Sequence, residues 1–187
     1  MIGKQVKGKG FRGVLNYVLN PDKGMLIGGN MDGLSARELT KEFVETRRLN
    51  PDLKRPVYHV SLSLSPGEQL NNFEWNQVAG SYLNRMGFKF SQYVVARHTD
   101  KEHDHIHIIA NRIGLDGKTV SDSQDYKRSE AVIREIERAY GLPAVTSSRK
   151  AERRGLTSGE LRLALKIQQP SIKMQLQEIV DQEQGTA

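Results

Sequence analysis

Four of the five histidines fall within ten residues, between His98 and His107. His105 and His107 alternate with isoleucines, and alternate side chains of a β-strand share one face of the sheet. We therefore expect both imidazoles to point the same way while the isoleucines enter a core. Histidine is the commonest metal ligand in proteins, and His98 lies a short way upstream. The pattern predicts a divalent metal site formed by His98, His105 and His107.

A site of three imidazoles leaves coordination positions free, which is typical of catalytic sites rather than closed structural ones. Asp100, Glu102 and Asp104 lie in the same run, and one of these acids is expected to orient a histidine through its second ring nitrogen. The spacing alone does not choose among the three. His103 is left out of the ligand set because it falls in the expected turn between two strands. Imidazole ligands suit Mn, Zn, Ni or Cu better than Mg.

The chain has no cysteine, which excludes disulfides, thiolate zinc sites and thiol catalysis. Tyr17 follows a basic segment in a predicted helix, and tyrosine is one of the residues that form covalent intermediates. A phenol is mostly protonated at neutral pH, so this role requires a neighbouring cation or base. The alternative interpretation of Tyr17 is a half-buried core residue of that helix. Tyr126, within Asp-Tyr-Lys-Arg, is a rival nucleophile.

The net charge of +6 and the sequence pI of about 9.5 favour an anionic partner such as nucleic acid. The basic residues form two clusters that we expect to contact DNA phosphates. The first cluster comprises Lys4, Lys7, Lys9 and Arg12, and the second comprises Arg149, Lys150, Arg153 and Arg154. Trp75, Tyr82 and Phe88 are available for base stacking, although helical spacing favours positions in the core.

No apolar run approaches the roughly 18 residues that a membrane-spanning helix requires, and no apolar signal segment follows Met1. We therefore expect no membrane insertion. Together with the lack of cysteine, this makes the cytoplasm the expected compartment.

Alternation and helical spacing predict the order strand, helix, strand, helix, strand, helix, strand, strand, helix. Ser35 and Glu38 form a capping-box pattern, and Ser129 is expected to open the last helix. The predicted fold class is α+β, with an antiparallel five-stranded central sheet, helices packed on it and an open face that carries the metal site. Residues 143–187 show no strand pattern and are expected to form a helical extension. Because the sequence ends in polar residues, we expect it to be the N-terminal part of a longer protein.

Three segments resemble, in order, the motifs of plasmid mobilisation relaxases of the MobA/VirD type, which are HUH single-strand endonucleases. The run from His98 to Arg112 is similar to the third motif, and its histidine–hydrophobic–histidine core is the most specific signal. The strand Tyr58–Glu68 resembles the second motif, and the helix Gly13–Leu19 resembles the first. The similarity runs from about residue 1 to Leu142, so residues 1–142 are expected to form the relaxase catalytic domain.

The resemblance implies that Tyr17 attacks a phosphodiester at a plasmid origin of transfer. This would leave a 5′-phosphotyrosine link and a free 3′-hydroxyl, which could later reseal the strand. The three histidines of the predicted site would hold Mn²⁺ or Mg²⁺. Asp100 matches the acid of the third motif and would orient a ligand, while Ser63 would contact DNA near the nick. Asn111 and Arg112 match a recurrent pair to which we assign no role.

The same resemblance implies that single-stranded DNA at the transfer origin is the main partner. Accessory relaxosome proteins and a coupling or secretion system would join it. The protein would act in the bacterial cytoplasm and could be translocated to the recipient with the DNA. The extension 143–187, with the second basic cluster, would then serve as a DNA clamp.

Three other functions remain open at this point. A rolling-circle replication initiator uses the same ligands and a tyrosine that usually follows the histidine motif, which would make Tyr126 the nucleophile. A non-catalytic single-stranded DNA-binding module would use the metal only to brace a hairpin. A metal-dependent hydrolase would cleave DNA with activated water and form no protein–DNA bond.

Overall fold

The computed structural model describes the compact unit Met1–Val145 and four further positions, Lys166, Pro170, Gln175 and Leu176. The predicted helical extension 143–187 therefore lies almost wholly outside the described residues. The second basic cluster, Arg149, Lys150, Arg153 and Arg154, also lies outside them.

Five strands and four helices make up the unit Met1–Val145. The strands are β1 (Ile2–Gly8), β2 (Gly24–Gly29), β3 (Val57–Ser63), β4 (Tyr93–His98) and β5 (His105–Asn111). The helices are α1 (Phe11–Val18), α2 (Ala36–Arg47), α3 (Asn72–Met86) and α4 (Asp125–Ala139). None of the helices in the described part of the chain has both the length and the apolar character that a membrane span requires.

The strands form one sheet in the order β1-β3-β5-β4-β2, and every neighbouring pair is antiparallel. The predicted α+β fold with a five-stranded antiparallel sheet is thereby confirmed. The register places Ser63 and His98 directly opposite His105, one on each side, and Ser61 opposite His107. Because directly opposite residues point to the same side of a sheet, these five side chains share one face. We call it the histidine face.

The opposite face of the sheet carries the larger core, under helices α3 and α4. Trp75, Tyr82 and Phe88 are buried there, so the core positions favoured by their spacing are confirmed. The hydroxyl of Tyr82 lies 2.9 Å from that of Tyr58 and 2.7 Å from that of Ser129. Their polar atoms are thus satisfied inside the core, and these rings are not available to stack on bases.

Helices cover the histidine face at one end only. Helix α1 forms because Phe11, Leu15 and Val18 recur at helical spacing, and all three are buried against the sheet. Together α1 and α2 cover the apolar sheet residues Val57, Val94, Ala96 and Ile109. The face is therefore open beside β1, where Ile2 and Val6 are exposed, whereas the three histidines on the same face are buried.

The start of α2 follows the local sequence signal, whereas the start of α4 differs from the one that the local sequence predicted. Ser35 accepts a hydrogen bond from the Glu38 backbone, and the Glu38 carboxylate accepts one from the Ser35 backbone, which confirms the predicted capping box. The expected start of the last helix at Ser129 is wrong, because α4 begins at Asp125. Asp125 is buried and pairs with Lys7 of β1 at 2.6 Å. This long-range ion pair stabilises the first residue of the helix, and no local pattern reveals it.

Candidate active site

The hairpin of β4 and β5 brings the three predicted ligands together. His98 lies opposite His105 across the two strands, and His107 lies two residues further along β5 on the same face. One ring nitrogen from each residue lies within 4.8 Å of the others. All three side chains are buried, so the cluster forms part of the folded interior beside the opening.

Hydrogen bonds determine which nitrogen of each ring is free. The Nε2 of His98 donates to the carbonyl oxygen of Val18 at 2.9 Å, and the Nδ1 of His105 donates to that of His103 at 3.1 Å. The Nδ1 of His107 lies 2.8 Å from the Nε2 of His59. The atoms left to bind a ligand are therefore His98 Nδ1, His105 Nε2 and His107 Nε2.

The free nitrogens fit a metal ion. The Nδ1 of His98 is buried and has no hydrogen-bond partner among the described residues. A buried polar atom without a partner is costly, and a cation at this point would supply one. Three imidazoles also match the donor set of open, catalytic metal sites. His98, His105 and His107 are therefore the residues that could hold a divalent ion.

Burial favours the neutral form of His105, His107 and the neighbouring His59. Burial, with a smaller contribution from the neighbouring imidazole of His98, lowers the pKa of His107 to about 3 and that of His59 to about 4. Burial also lowers the pKa of His105, although the hydrogen bond to the His103 carbonyl acts in the opposite direction. At neutral pH each of these rings keeps a lone pair, which is the form that binds metals.

Asp100 lies on the side of the free nitrogens. Its Oδ1 is 3.7 Å from His98 Nδ1 and 3.6 Å from His105 Nε2, and both distances are too long for hydrogen bonds. The other ring nitrogen of each histidine is held instead by a backbone carbonyl, for His98 and His105, or by His59, for His107. A role for Asp100 in orienting a histidine stays a prediction, whereas its position places a negative charge beside the ion site.

Asp104, another acid considered for that orienting role, faces away from the triad. Its carboxylate accepts two hydrogen bonds from Arg97, at 3.0 and 2.9 Å, one from Trp75 Nε1 at 2.9 Å and one from the Leu70 backbone at 3.1 Å. These contacts tie the turn before β5 to the core helix α3. Asp104 therefore stabilises the hairpin and does not orient a histidine of the triad.

Tyr17 lies beside the triad. Its ring centroid is 5.9 Å from those of both His98 and His107, and its side chain is 46% exposed. The next residue of α1, Val18, supplies the carbonyl that holds His98, so the helix end is tied to the site. The Nζ of Lys23 lies 4.8 Å from the centroid of the Tyr17 ring and brings a positive charge to the phenol. The alternative interpretation of Tyr17 as a core residue does not fit this exposed position beside the triad.

Tyr126, the rival tyrosine, lies on the other side of the sheet. Its ring lies 5.2 Å below the Nζ of Lys7, which is paired with Asp125 at the start of α4. Lys7 is opposite Tyr58, a member of the core under α3 and α4, and thus points away from the histidine face. Tyr126 and Lys7 are therefore not brought together with the triad.

The predicted DNA-contact residues divide in the same way. Lys4 lies opposite Ser61 on the histidine face, and Ser63 lies opposite His105. A cavity of about 440 Å³ follows this part of the face, lined by Ile2, Lys4, Ser61, Ser63, Leu64, Ser65, Pro66, His103 and Val145. Lys9 and Arg12 are exposed around the start of α1. Ser63 thus borders the triad and Lys4 lies one strand further out on the same face, whereas Lys7 points to the other face.

Sequence reasoning missed the roles of three residues. His59 was not singled out in the sequence, yet it contacts His107, and its alternation with Ser61 on the strand paired to β5 was the available signal. Lys23 lies in a turn, where no pattern indicates contact with Tyr17. Arg112 binds the carbonyl oxygens of Val120 and Arg55, so it braces loops far from the triad.

Comparison with known proteins gave one match. The family model described as relaxase, MobA/VirD2-like, nuclease domain matches residues 17–142, which is more than half of the chain. The matched segment starts at the tyrosine beside the triad and includes all three histidines. No curated protein and no solved structure shows a significant match.

Proposed function

The chain belongs to the relaxases with a MobA/VirD2-like nuclease domain, and we propose that it nicks one DNA strand at a plasmid origin of transfer through a covalent tyrosine adduct. Family membership makes it a DNA-nicking endonuclease in general terms. We propose in addition that the target is an origin of transfer, that the intermediate is a phosphotyrosine and that the reaction serves conjugative mobilisation. The observation that carries it is the Tyr17 ring, 5.9 Å from the rings of two triad histidines.

The proposed reaction is a transesterification. The phenol of Tyr17 loses its proton as its oxygen attacks the phosphorus, the bond from phosphorus to the 3′ oxygen breaks, and that oxygen takes up a proton to become a 3′-hydroxyl, so that no net proton is gained or lost. The 5′ phosphate remains on the tyrosine as a diester, so attack by a 3′-hydroxyl can reverse the step and reseal the strand. Tyr17 is exposed enough to reach a strand lying on the histidine face. Lys23 lies close enough to place positive charge beside the phosphate.

His98, His105 and His107 would hold Mn²⁺ or Mg²⁺ through their free nitrogens. A bound divalent ion polarises the scissile phosphate and offsets the charge that develops on it. Because imidazole nitrogens bind transition-metal ions more strongly than the hard ion Mg²⁺, we expect Mn²⁺ to bind more tightly than Mg²⁺.

The DNA is proposed to be single-stranded at the nick and to follow the open part of the histidine face. Lys4 and Ser63 line the cavity next to the triad, and Lys9 and Arg12 add exposed positive charge near α1. Lys7 has no place in this path, because it pairs with Asp125 on the other side of the sheet. The second basic cluster, in the extension 143–187, remains a proposed clamp.

In the cell, this activity would belong to plasmid mobilisation. We place it in the bacterial cytoplasm, within a relaxosome of accessory proteins that exposes the origin as a single strand. A coupling and secretion system would then carry the strand, with the covalently attached protein, to the recipient.

The test uses a pool of single-stranded oligonucleotides with a randomised centre and a label at the 3′ end. In Mn²⁺, a denaturing gel should place the 3′ label on the protein, because Tyr17 keeps the 5′ phosphate of the downstream fragment. A 5′-labelled pool should release a short fragment that a polymerase can extend. Tyr17→Phe should abolish the adduct, and the matched control Tyr126→Phe should retain it.

Each alternative function gives a different gel. Loss of the adduct only in Tyr126→Phe would indicate an initiator-like reaction. Cleavage without label on the protein would indicate hydrolysis by water. Retention of the pool in a native gel with no cleavage in Mn²⁺ would indicate a binding module. Any of these results overturns the proposal.

A further inference from the structure

The fifth histidine, His59, lies outside the cluster in sequence but contacts it in the fold. It is on β3, on the histidine face, and its Nε2 is 2.8 Å from the Nδ1 of His107. We propose that His59 is a positioning residue that accepts a hydrogen bond from His107 and so holds that ring in the tautomer that binds a metal. The inference rests on the proposed function, since it requires the triad to bind an ion.

The distance separates this role from that of a fourth ligand. The group of described residues whose ligand atoms all lie within 4.8 Å of one another is His98, His105 and His107, and His59 is not part of it. The 2.8 Å between the Nε2 of His59 and the Nδ1 of His107 is typical of a hydrogen bond. The two rings are also tilted by 43°, with centroids 5.0 Å apart. His59 therefore supports His107 from behind.

The direction of the hydrogen bond follows from the chemistry of a neutral imidazole, which has one N–H and one lone pair. If the Nε2 of His107 offers its lone pair to an ion, its Nδ1 must carry the proton. That proton then points at the Nε2 of His59, which must be the acceptor. His59 in turn carries its own proton on Nδ1. Without an acceptor at this position, the other tautomer of His107 competes and blocks the metal-binding lone pair.

The three ligands differ in how they are held. His98 and His105 donate to the carbonyl oxygens of Val18 and His103, which are acceptors whatever the side chains are. His107 alone in the triad is held by a side chain. Partners that orient a ligand histidine typically affect metal affinity by 10–100-fold. One substitution at His59 can therefore test the role of such a partner without touching a ligand.

The main experiment measures Mn²⁺ affinity of the full chain, without DNA, by calorimetry or by electron paramagnetic resonance of the free ion. His59→Phe keeps a ring and removes the acceptor, so affinity should fall by about 10–100-fold. His59→Gln places an amide oxygen near the lost Nε2 and should bind Mn²⁺ much more tightly than the Phe variant. Val6→Ala alters the residue opposite His59 on β1 and should leave the affinity unchanged.

A second measurement needs no metal. Long-range proton–nitrogen NMR of the metal-free protein reports which nitrogen of His107 carries the proton. We expect Nδ1–H in the natural protein and a shift towards Nε2–H in His59→Phe. If that variant does not fold, the tautomer of the natural protein and the Gln variant still decide the question.

The outcomes separate the two hypotheses. If the natural protein binds Mn²⁺ and His59→Phe binds it equally well, the positioning role is wrong and the metal site stands. The same conclusion follows if His107 carries its proton on Nε2 in the metal-free natural protein. If the natural protein binds no Mn²⁺, the proposed metal site fails and the role of His59 fails with it.

Discussion

Asp104→Ala removes the anchor of the turn that precedes β5. The Asp104 carboxylate is 7% exposed and accepts hydrogen bonds from Arg97, Trp75 and Leu70. Arg97 and Asp104 flank the turn that joins the strands of His98 and His105. Loss of this carboxylate should therefore loosen the hairpin that carries all three ligand histidines.

The magnitude follows from what the substitution leaves behind. The indole N–H of buried Trp75 and the backbone N–H of Leu70 lose their acceptor, and each unsatisfied group costs about 1–3 kcal/mol. Breaking a buried ion pair costs about 3–5 kcal/mol, but the Arg97 side chain is 23% exposed, so water can partly replace its partner. These costs overlap because they share one carboxylate. We expect the free energy of unfolding to fall by about 3–5 kcal/mol.

Urea denaturation followed by tryptophan fluorescence measures this loss, with EDTA present so that metal binding does not contribute. The matched control is Asp52→Ala, an exposed aspartate in a turn, which should change stability by less than about 0.5 kcal/mol. A loss below about 1 kcal/mol for Asp104→Ala would show that the network does not hold the hairpin, and the reasoning would be refuted.

Two further predictions concern the triad. The folded-state pKa values of His107, about 3, and His59, about 4, lie below the ordinary value, so the unfolded chain binds more protons at mildly acidic pH and stability falls as the pH falls. Between pH 7 and 5 the metal-free protein should lose about 2–4 kcal/mol in urea titrations, and a flat profile would contradict the burial of these rings. A Cβ at Gly24 would lie 2.5 Å from His98 Cδ2 and 2.3 Å from the Arg97 carbonyl oxygen, so Gly24→Ala should displace His98 and weaken Mn²⁺ binding in calorimetry. The control is Gly13→Ala in helix α1, where a Cβ would meet open space. This variant should leave the Mn²⁺ affinity unchanged and raise the free energy of unfolding by about 0.5–1 kcal/mol. If Gly24→Ala and Gly13→Ala bind Mn²⁺ equally well, Gly24 does not constrain His98.

The sequence predicted the parts of the site that depend on strand geometry. The alternation of His105 and His107 with isoleucines set the face of the sheet, and the short turn after His98 implied a hairpin that would bring all three together. The capping box at Ser35 was equally readable, because its partners are three residues apart.

What the sequence did not predict depends on contacts between distant segments. The first residue of α4, Asp125, pairs with a lysine on β1 that is far away in the sequence. The support of His107 by His59 depends on the register between β3 and β5, which no local pattern specifies. Asp104 looked like a candidate partner for a histidine, and only its place in the fold shows that it binds Arg97 and Trp75.

The central claim is that the phenol of Tyr17 and the histidine triad act on one phosphate. The most direct test traps the covalent adduct with single-stranded DNA, digests protein and DNA, and locates the attached nucleotide by mass spectrometry. We expect it on the peptide that contains Tyr17, linked through a 5′ phosphate to the phenolic oxygen. A nucleotide on Tyr126, or cleaved DNA with no modified peptide, would contradict the account.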